Sequence, residues 1–305
     1  MFILIIAFLL ILITFLTGNY FSNMALDPKM SKRYIQRNII ADINSKQMLE
    51  SKAWIKEFGT ELDIISKDNL RLHGYKVINP IKRTNIWVIL VHGYMGCAYE
   101  LVEISKRFIN MGFNVLLIDL RAHGKSEGKY IGMGWKDKDD LIVWINKLCN
   151  ENKECKIILY GISMGASTVM MASGEELNNN VKACIEDCGY TSVEDEFKAI
   201  LKNTNTIIRK YILFSANIVT RIKSGYFFSE ASCVKQIRRS NIPTLFIHGE
   251  EDTFVPFSML ETIYNSKKGY KEKFTVKNAG HTKCCKIEPK LYWNKVENFI
   301  KDHIK

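Results

Sequence analysis

No charged side chain occurs before Asp27, and only five prolines are spread over 305 residues. Neither Pro nor Gly gathers into a linker-like tract, and no internal repeat recurs, so one catalytic-sized domain behind a short N-terminal extension is the simplest organisation. The eight cysteines, Cys97, Cys149, Cys155, Cys184, Cys188, Cys233, Cys284 and Cys285, show no compact disulfide-framework spacing, which fits a reducing compartment. Two separated ligand pairs of zinc type are also missing. The vicinal Cys284-Cys285 beside His281 has no second half, so no metal is expected. No glycine-rich phosphate or dinucleotide fingerprint follows the first apolar strand run, so no cofactor is expected. The formal charge of +11 is distributed along the chain without a basic stripe among aromatics. That excludes nucleic acid as the expected partner and fits a diffuse basic surface near anionic lipid.

Residues 1–21 within that uncharged stretch read "MFILIIAFLLILITFLTGNYF". From Phe2 to Phe21 there are about 20 residues, and at about 1.5 Å of rise each they match a bilayer core of roughly 30 Å. A secretory signal would carry a basic leader and a small-residue cleavage site, and neither is present, so residues 1–22 are expected to be a single-pass membrane anchor. Lys29, Lys32, Arg33 and Arg37 follow it closely, which by the positive-inside tendency favours a cytoplasmic domain. Residues 23–58 then read as a helical connector, with Ile35, Ile39, Ile40, Ile43 and Met48 loosely at helical spacing.

From residue 59 to 305 the pattern changes. "LDIISKDNLRLHGYKVI" alternates around the turn residues 66–69 and predicts a hairpin. Short, nearly continuous apolar runs follow at 86–91, 114–119, 156–160, 182–187, 243–249 and 273–277. Runs of that kind suit a mostly parallel sheet covered on both faces. Helix-length segments at 98–111, 135–149, 164–176 and 257–267 alternate with them, giving an α/β fold. The interval of about 190–240 is too long for a simple crossover and reads as a helical cap insertion whose aromatics form its own core or line an apolar pocket.

"GISMG" (161–165) lies where the strand "KIILY" ends and a helix begins, the context of a nucleophile elbow. Ser163 could otherwise merely cap that helix. Gly161 and Gly165 sit where side chains would collide with the adjoining elements, and the N–H of Met164 would face a developing oxyanion. A second donor is expected from "HGYMG" (92–96): the N–H of Tyr94, with Gly93 and Gly96 allowing close approach. His92 precedes the serine and is not the expected base. After a later strand, "HGEEDTFVP" presents Glu250, Glu251 and Asp252, of which Asp252 best fits the acid. "VKNAGHTKCC" then supplies His281 in a loop before the last helix. Ser163, Asp252 and His281 thus follow one another in the order serine, acid, histidine.

These motifs, with "DLRAHGKSEG" (119–128), resemble the α/β-hydrolase superfamily in its serine-hydrolase branch over about residues 60–303. Within it the chain looks like membrane-anchored bacterial hydrolases related to the Bem46-like and depalmitoylating groups. The resemblance implies that 119–128 shapes a turn beside the site, with Asp119, Arg121 and Ser126 structural and Ala122 where glycine often stands. The expectation is a serine hydrolase of esters, thioesters or amides acting through an acyl-enzyme. Its partners would be a small-molecule or acylated substrate and membrane lipid. The same triad also serves peptidases and acyltransferases, and a hydrolase fold can serve a non-catalytic binding protein. The oligomeric state is not legible.

Overall fold

The computed structural model describes residues 1–31 and 46–304. Most of the predicted connector stripe, from Ile35 to Ile43, lies outside the described residues. Helix α1 (Phe2–Leu26) is followed by α2 (Lys46–Phe58), then the hairpin β1 (Thr60–Ile65) and β2 (Arg71–Val77). Strand β3 (Ile86–Val91) leads through a 3-10 turn into α3 (Val102–Asn110) and β4 (Asn114–Ile118). Next come α4 (Trp135–Glu151), β5 (Lys156–Ile162), α5 (Met164–Ser173) and β6 (Val181–Asp187). Three helices, α6 (Val193–Ile200), α7 (Thr206–Ser224) and α8 (Cys233–Ile237), fill the long interval before β7 (Thr244–Gly249). The chain ends with α9 (Ser258–Ser266), β8 (Lys271–Val276), α10 (Cys284–Ile287) and α11 (Pro289–His303).

The eight strands form one sheet in the order β1-β2-β4-β3-β5-β6-β7-β8. Strands β3 to β8 pair in parallel, and the β1–β2 hairpin adds antiparallel to the edge of β4. This is the α/β-hydrolase fold, a mostly parallel open sheet between helices. Successive side chains of a strand point to opposite faces, and both faces of β3 are apolar. Trp87, Ile89 and Val91 join one core with Leu141 and Trp144 of α4 and Val169 of α5. Val88 and Leu90 join the other with Phe108 of α3 and Val296 and Phe299 of α11.

Helix α1 is long and apolar enough to cross a membrane. It runs to Leu26, past the expected end at residue 22, and its last turn belongs to the domain. Leu26 is fully buried in the core, its carbonyl accepts from Ile131 N–H at 2.8 Å, and Ala25 O accepts from the Tyr94 hydroxyl at 2.8 Å.

The 119–128 loop fastens the hairpin to α4. Arg121 Nε and one terminal nitrogen donate to the two Asp140 oxygens, both at 2.7 Å. Its terminal nitrogens also reach Asp68 in the β1–β2 turn at 2.9 and 3.1 Å. Asp119 accepts from the Ala98 and Lys125 amides, and the Ser126 hydroxyl donates to Asp119 O at 2.6 Å. Ala122 adopts φ 62°, the left-handed region that favours glycine. Burial pushes the carboxyls of Asp140 and Asp137 up, the latter to about 7, with Arg121 opposing the shift in both. Replacing Arg121 by Ala would strand Asp140 without a counter-ion, a loss of about 3–5 kcal/mol for a broken buried pair. Urea unfolding of Arg121→Ala should show a drop of that size; a change within about 1 kcal/mol would mean water already screens the pair.

Candidate active site

Ser163 stands at the junction of β5 and α5, at the C-terminal edge of the parallel sheet. Its backbone is held at φ 57° and ψ −118°, a conformation that costs a non-glycine residue about 1–3 kcal/mol and persists only where its surroundings enforce it. Here they do. Ser163 N–H donates to Asp187 O at 2.8 Å, and Ser163 O accepts from Ser167 N–H at 3.0 Å. A Cβ on Gly161 would lie 2.2 Å from Gly165 O, and one on Gly165 would lie 2.1 Å from Val91 O. Strand and helix therefore approach more closely than any side chain at either position allows.

Ser163 Oγ lies 2.8 Å from His281 Nε2, and His281 Nδ1 lies 2.7 Å from Asp252 Oδ2. With a carboxylate as its acceptor, Nδ1 must carry the proton, so Nε2 has the lone pair that accepts from the serine hydroxyl. The loops that follow β7 and β8 deliver the two residues. Asp252 is almost fully buried, and its second oxygen accepts the Phe254 and Val255 amides at 3.0 and 2.9 Å. Burial alone would raise this carboxyl, yet hydrogen bonds from His248 and His281 prevail and hold it at about 2. Glu250 and Glu251 lie outside this line, and Glu250 accepts from the Thr275 hydroxyl at 2.9 Å.

His248, the residue four before Asp252, carries a second imidazole to the acid. Its Nε2 sits 3.0 Å from Val255 O and 3.3 Å from Asp252 Oδ2. Burial pushes the ring's pKa down, but the Asp252 bond and nearby Glu186 carry it up overall. The only hint in the sequence is its spacing from Asp252, which resembles any strand-end histidine.

The 92–96 loop crosses beside the serine. A Cβ on Gly93 would stand 3.4 Å from Ser163 Cβ. Two neutral histidines shape the loop. His92 Nε2 accepts Leu120 N–H at 3.0 Å, and His123 Nε2 accepts Met95 N–H at 3.1 Å. Burial holds the His92 imidazole down and, aided by His92, carries His123 to about 3. His123 was hidden within "DLRAHGKSEG", where no spacing rule marks it. Among the described residues, neither Tyr94 N–H nor Met164 N–H has a protein acceptor. Met164 follows Ser163 in the chain, and Tyr94 follows Gly93, which lies against Ser163, while the Tyr94 side chain turns toward α1.

Cys188, Asp252 and His281 place ligand atoms within 4.8 Å of one another. Asp252 and His281 are already bonded to each other, and burial raises the Cys188 thiol well above its ordinary value, keeping it a poor ligand. Cys284 is buried and Cys285 half-buried beside it; both are free thiols pushed up by burial.

The family described as serine aminopeptidase, S33, matches residues 82–223. A Bacillus subtilis protein, YqkD, is 28% identical over 214 residues, covering 70% of each chain. Protein bem46 of Schizosaccharomyces pombe is 24% identical over 229 residues, covering 72% of this chain and 70% of the relative. The lysophosphatidylserine lipase ABHD12 of Xenopus tropicalis is 25% identical across 61% of this chain and half of its own length. Among solved structures, the Pyrococcus furiosus esterase Pf2001 superposes with a TM-score of 0.66 at 23% identity, covering 82% of this chain and 94% of the esterase.

The contacts at the elbow yield a paired test. Gly165→Ala must displace main chain and should destabilise the fold by about 1–3 kcal/mol, the usual cost of overpacking. Gly93→Ala meets only ordinary contact at Ser163 and should keep its unfolding midpoint. Equal midpoints for the two variants would sink the steric account of the elbow.

Proposed function

Since the chain belongs to the α/β-hydrolase superfamily and is a hydrolase, we propose that it cleaves carboxylic esters, thioesters or amides of an apolar or acylated substrate through an acyl-enzyme on Ser163. The observation that carries this reading is the unbroken hydrogen-bonded line from Ser163 Oγ through His281 to Asp252, with the serine on a strained turn. In the proposed reaction Ser163 Oγ attacks the substrate carbonyl carbon while His281 Nε2 takes the hydroxyl proton. Asp252 fixes the Nδ1–H tautomer and stabilises the imidazolium without becoming protonated. The carbonyl oxygen, now negative, receives the N–H groups of Tyr94 and Met164, with the N-terminus of α5 adding its dipole. Collapse breaks the bond to the alcohol, thiol or amine, which leaves with the proton from His281. Water then enters by the same route, and its proton passes through His281 back to Ser163 as the acid departs.

The substrate class rests on the surroundings of the machinery. We take α1 as a single-pass anchor, with the basic residues after it favouring a cytoplasmic domain, and residues 190–240 as the cap that selects the acyl group. The lysophosphatidylserine lipase relative supports ester cleavage, and the aminopeptidase description of the matching family keeps the amide in view.

A fluorophosphonate probe should label the detergent-solubilised wild type and leave Ser163→Ala unlabelled at an unchanged unfolding midpoint. His281→Ala and Asp252→Asn should each lower kcat/KM on p-nitrophenyl esters by roughly 10³-fold or more. Labelling that persists in Ser163→Ala would overturn the assignment. A p-nitroanilide series beside the esters separates amide from ester cleavage.

A further inference from the structure

Helix α7, within the interval between β6 and β7, packs lengthwise on α1. Thr14 Oγ1 meets the Tyr211 hydroxyl at 3.2 Å, and Ser22 Oγ meets Thr220 Oγ1 at 3.1 Å. Between them Gly18 lets the helices close to main-chain contact, since a Cβ there would lie 2.2 Å from Ser215 O. Lys223 Nζ reaches Asn19 Oδ1 at 2.6 Å and also bonds Asn23. The partners rise together in number, so the helices run parallel. Thr14, Gly18 and Ser22 form the small-residue stripe, four apart, by which helices associate closely in lipid.

The rest of α7 does not suit water. Ile207, Tyr211, Phe214, Ile218 and Ile222 recur at three- and four-residue intervals and therefore share one face. Ile207, Phe214 and Ile222 are 78%, 60% and 68% exposed. Such a row is larger than the scattered apolar residues of an ordinary surface. Lys210, four before Phe214, and Arg221, three after Ile218, border it on one side. On the other side, where Tyr211 meets Thr14, the stripe continues into the exposed apolar surface of α1. An exposed apolar row running beside a membrane-length apolar helix suits contact with lipid, with the long Lys210 stem able to carry its charge away from the hydrocarbon, while Arg221 donates to Gly225 O at 2.6 Å and lies 3.6 Å from Glu230.

We propose that the exposed face of α7 is embedded in the lipid bilayer beside α1, so that the two helices form one membrane-inserted unit. This rests on reading α1 as a membrane helix and is independent of the chemistry at Ser163. It also places the site. Ala25 of α1 holds the Tyr94 hydroxyl, and the adjacent Gly93 lies against Ser163, so the serine sits close to the membrane-proximal end of the anchor. A substrate held in the bilayer would reach it along α7 without first crossing water.

The test uses the full chain reconstituted into vesicles of phosphatidylcholine and phosphatidylglycerol. Phe214→Cys and Ile222→Cys, each labelled with an NBD fluorophore, are compared with Lys153→Cys, in the loop before β5 at the opposite end of the sheet from Ser163. The unsubstituted protein sets the background from native thiols. Nitroxide-bearing lipid should quench positions 214 and 222 roughly threefold or more above position 153, and aqueous iodide should show the reverse order. If the vesicles float with the protein but 214 and 222 respond to iodide as 153 does, α7 faces water and the proposal fails. Shielding from both quenchers would assign the stripe to a second protein chain and overturn it equally. A chain that does not float with the vesicles removes the α1 reading as well.

Discussion

The constraint on which the site depends is the close main-chain contact across the turn at Ser163. Gly161 lies against Gly165, and Gly165 against Val91 and His92, at separations that exclude any side chain. Everything at the site depends on it. The contact fixes the angle at which β5 passes into α5 and forces the serine to a positive φ. That conformation aims Oγ out of the sheet edge instead of into the helix, where an ordinary capping serine would use it on the next amides. The strain is small beside the burial that enforces it, because every residue of α5 is buried between β5, β6 and α4.

Electrostatics complete what sterics begin, and two buried acids show how. Asp252 and Asp137 are both buried, yet one is held near 2 and the other raised to about 7. The difference lies in their donors. Asp252 receives two amides and two imidazoles, enough to overcome the cost of burying a charge. Asp137 has one amide donor, Gly134 N–H, and one buried oxygen without a partner. The acid expected to support a charged imidazole is thus the one surrounded by hydrogen-bond donors. His248 matters in that light, since it shares Asp252 with His281 and adds to the hold on its charge.

Much of this was legible because it depends on local order in the chain. Strand runs such as "IWVILV" are apolar on both faces only if helices cover both, so the parallel core follows from them. The elbow could be read because its glycines flank the serine within five residues. Groups that act across the fold could not be read. His123 reaches Met95 from 28 residues away with no distinctive spacing, and the four-residue step from His248 to Asp252 says nothing in sequence about their contact. The pairing of α1 with α7 joins positions about 200 residues apart, and in sequence each helix shows only its own pattern. The expected anchor bounds and the helix end differ for a related reason. Hydropathy marks where apolar character fades, whereas the helix continues through Asn23 and Leu26 because the domain accepts its last turn.

That last turn changes what an anchor means here. A tether needs only length and apolarity, and its joint to the domain can be loose. Helix α1 instead ends inside the core, with Leu26 buried, its carbonyl bonded to Ile131 N–H and its neighbour Ala25 bonded to Tyr94. Tyr94 also supplies a main-chain N–H to the loop beside Ser163, and that loop is stiffened from its other side by His92 and His123. The helix end, the loop and the serine are therefore in mechanical contact through three consecutive interactions. On the proposed anchoring of α1, a tilt of the helix would reach the Tyr94 loop through Ala25 as well as the core through Leu26. The site is consequently tied to the orientation of the helix, and the same contacts that hold the domain to α1 set the position of its expected oxyanion donor.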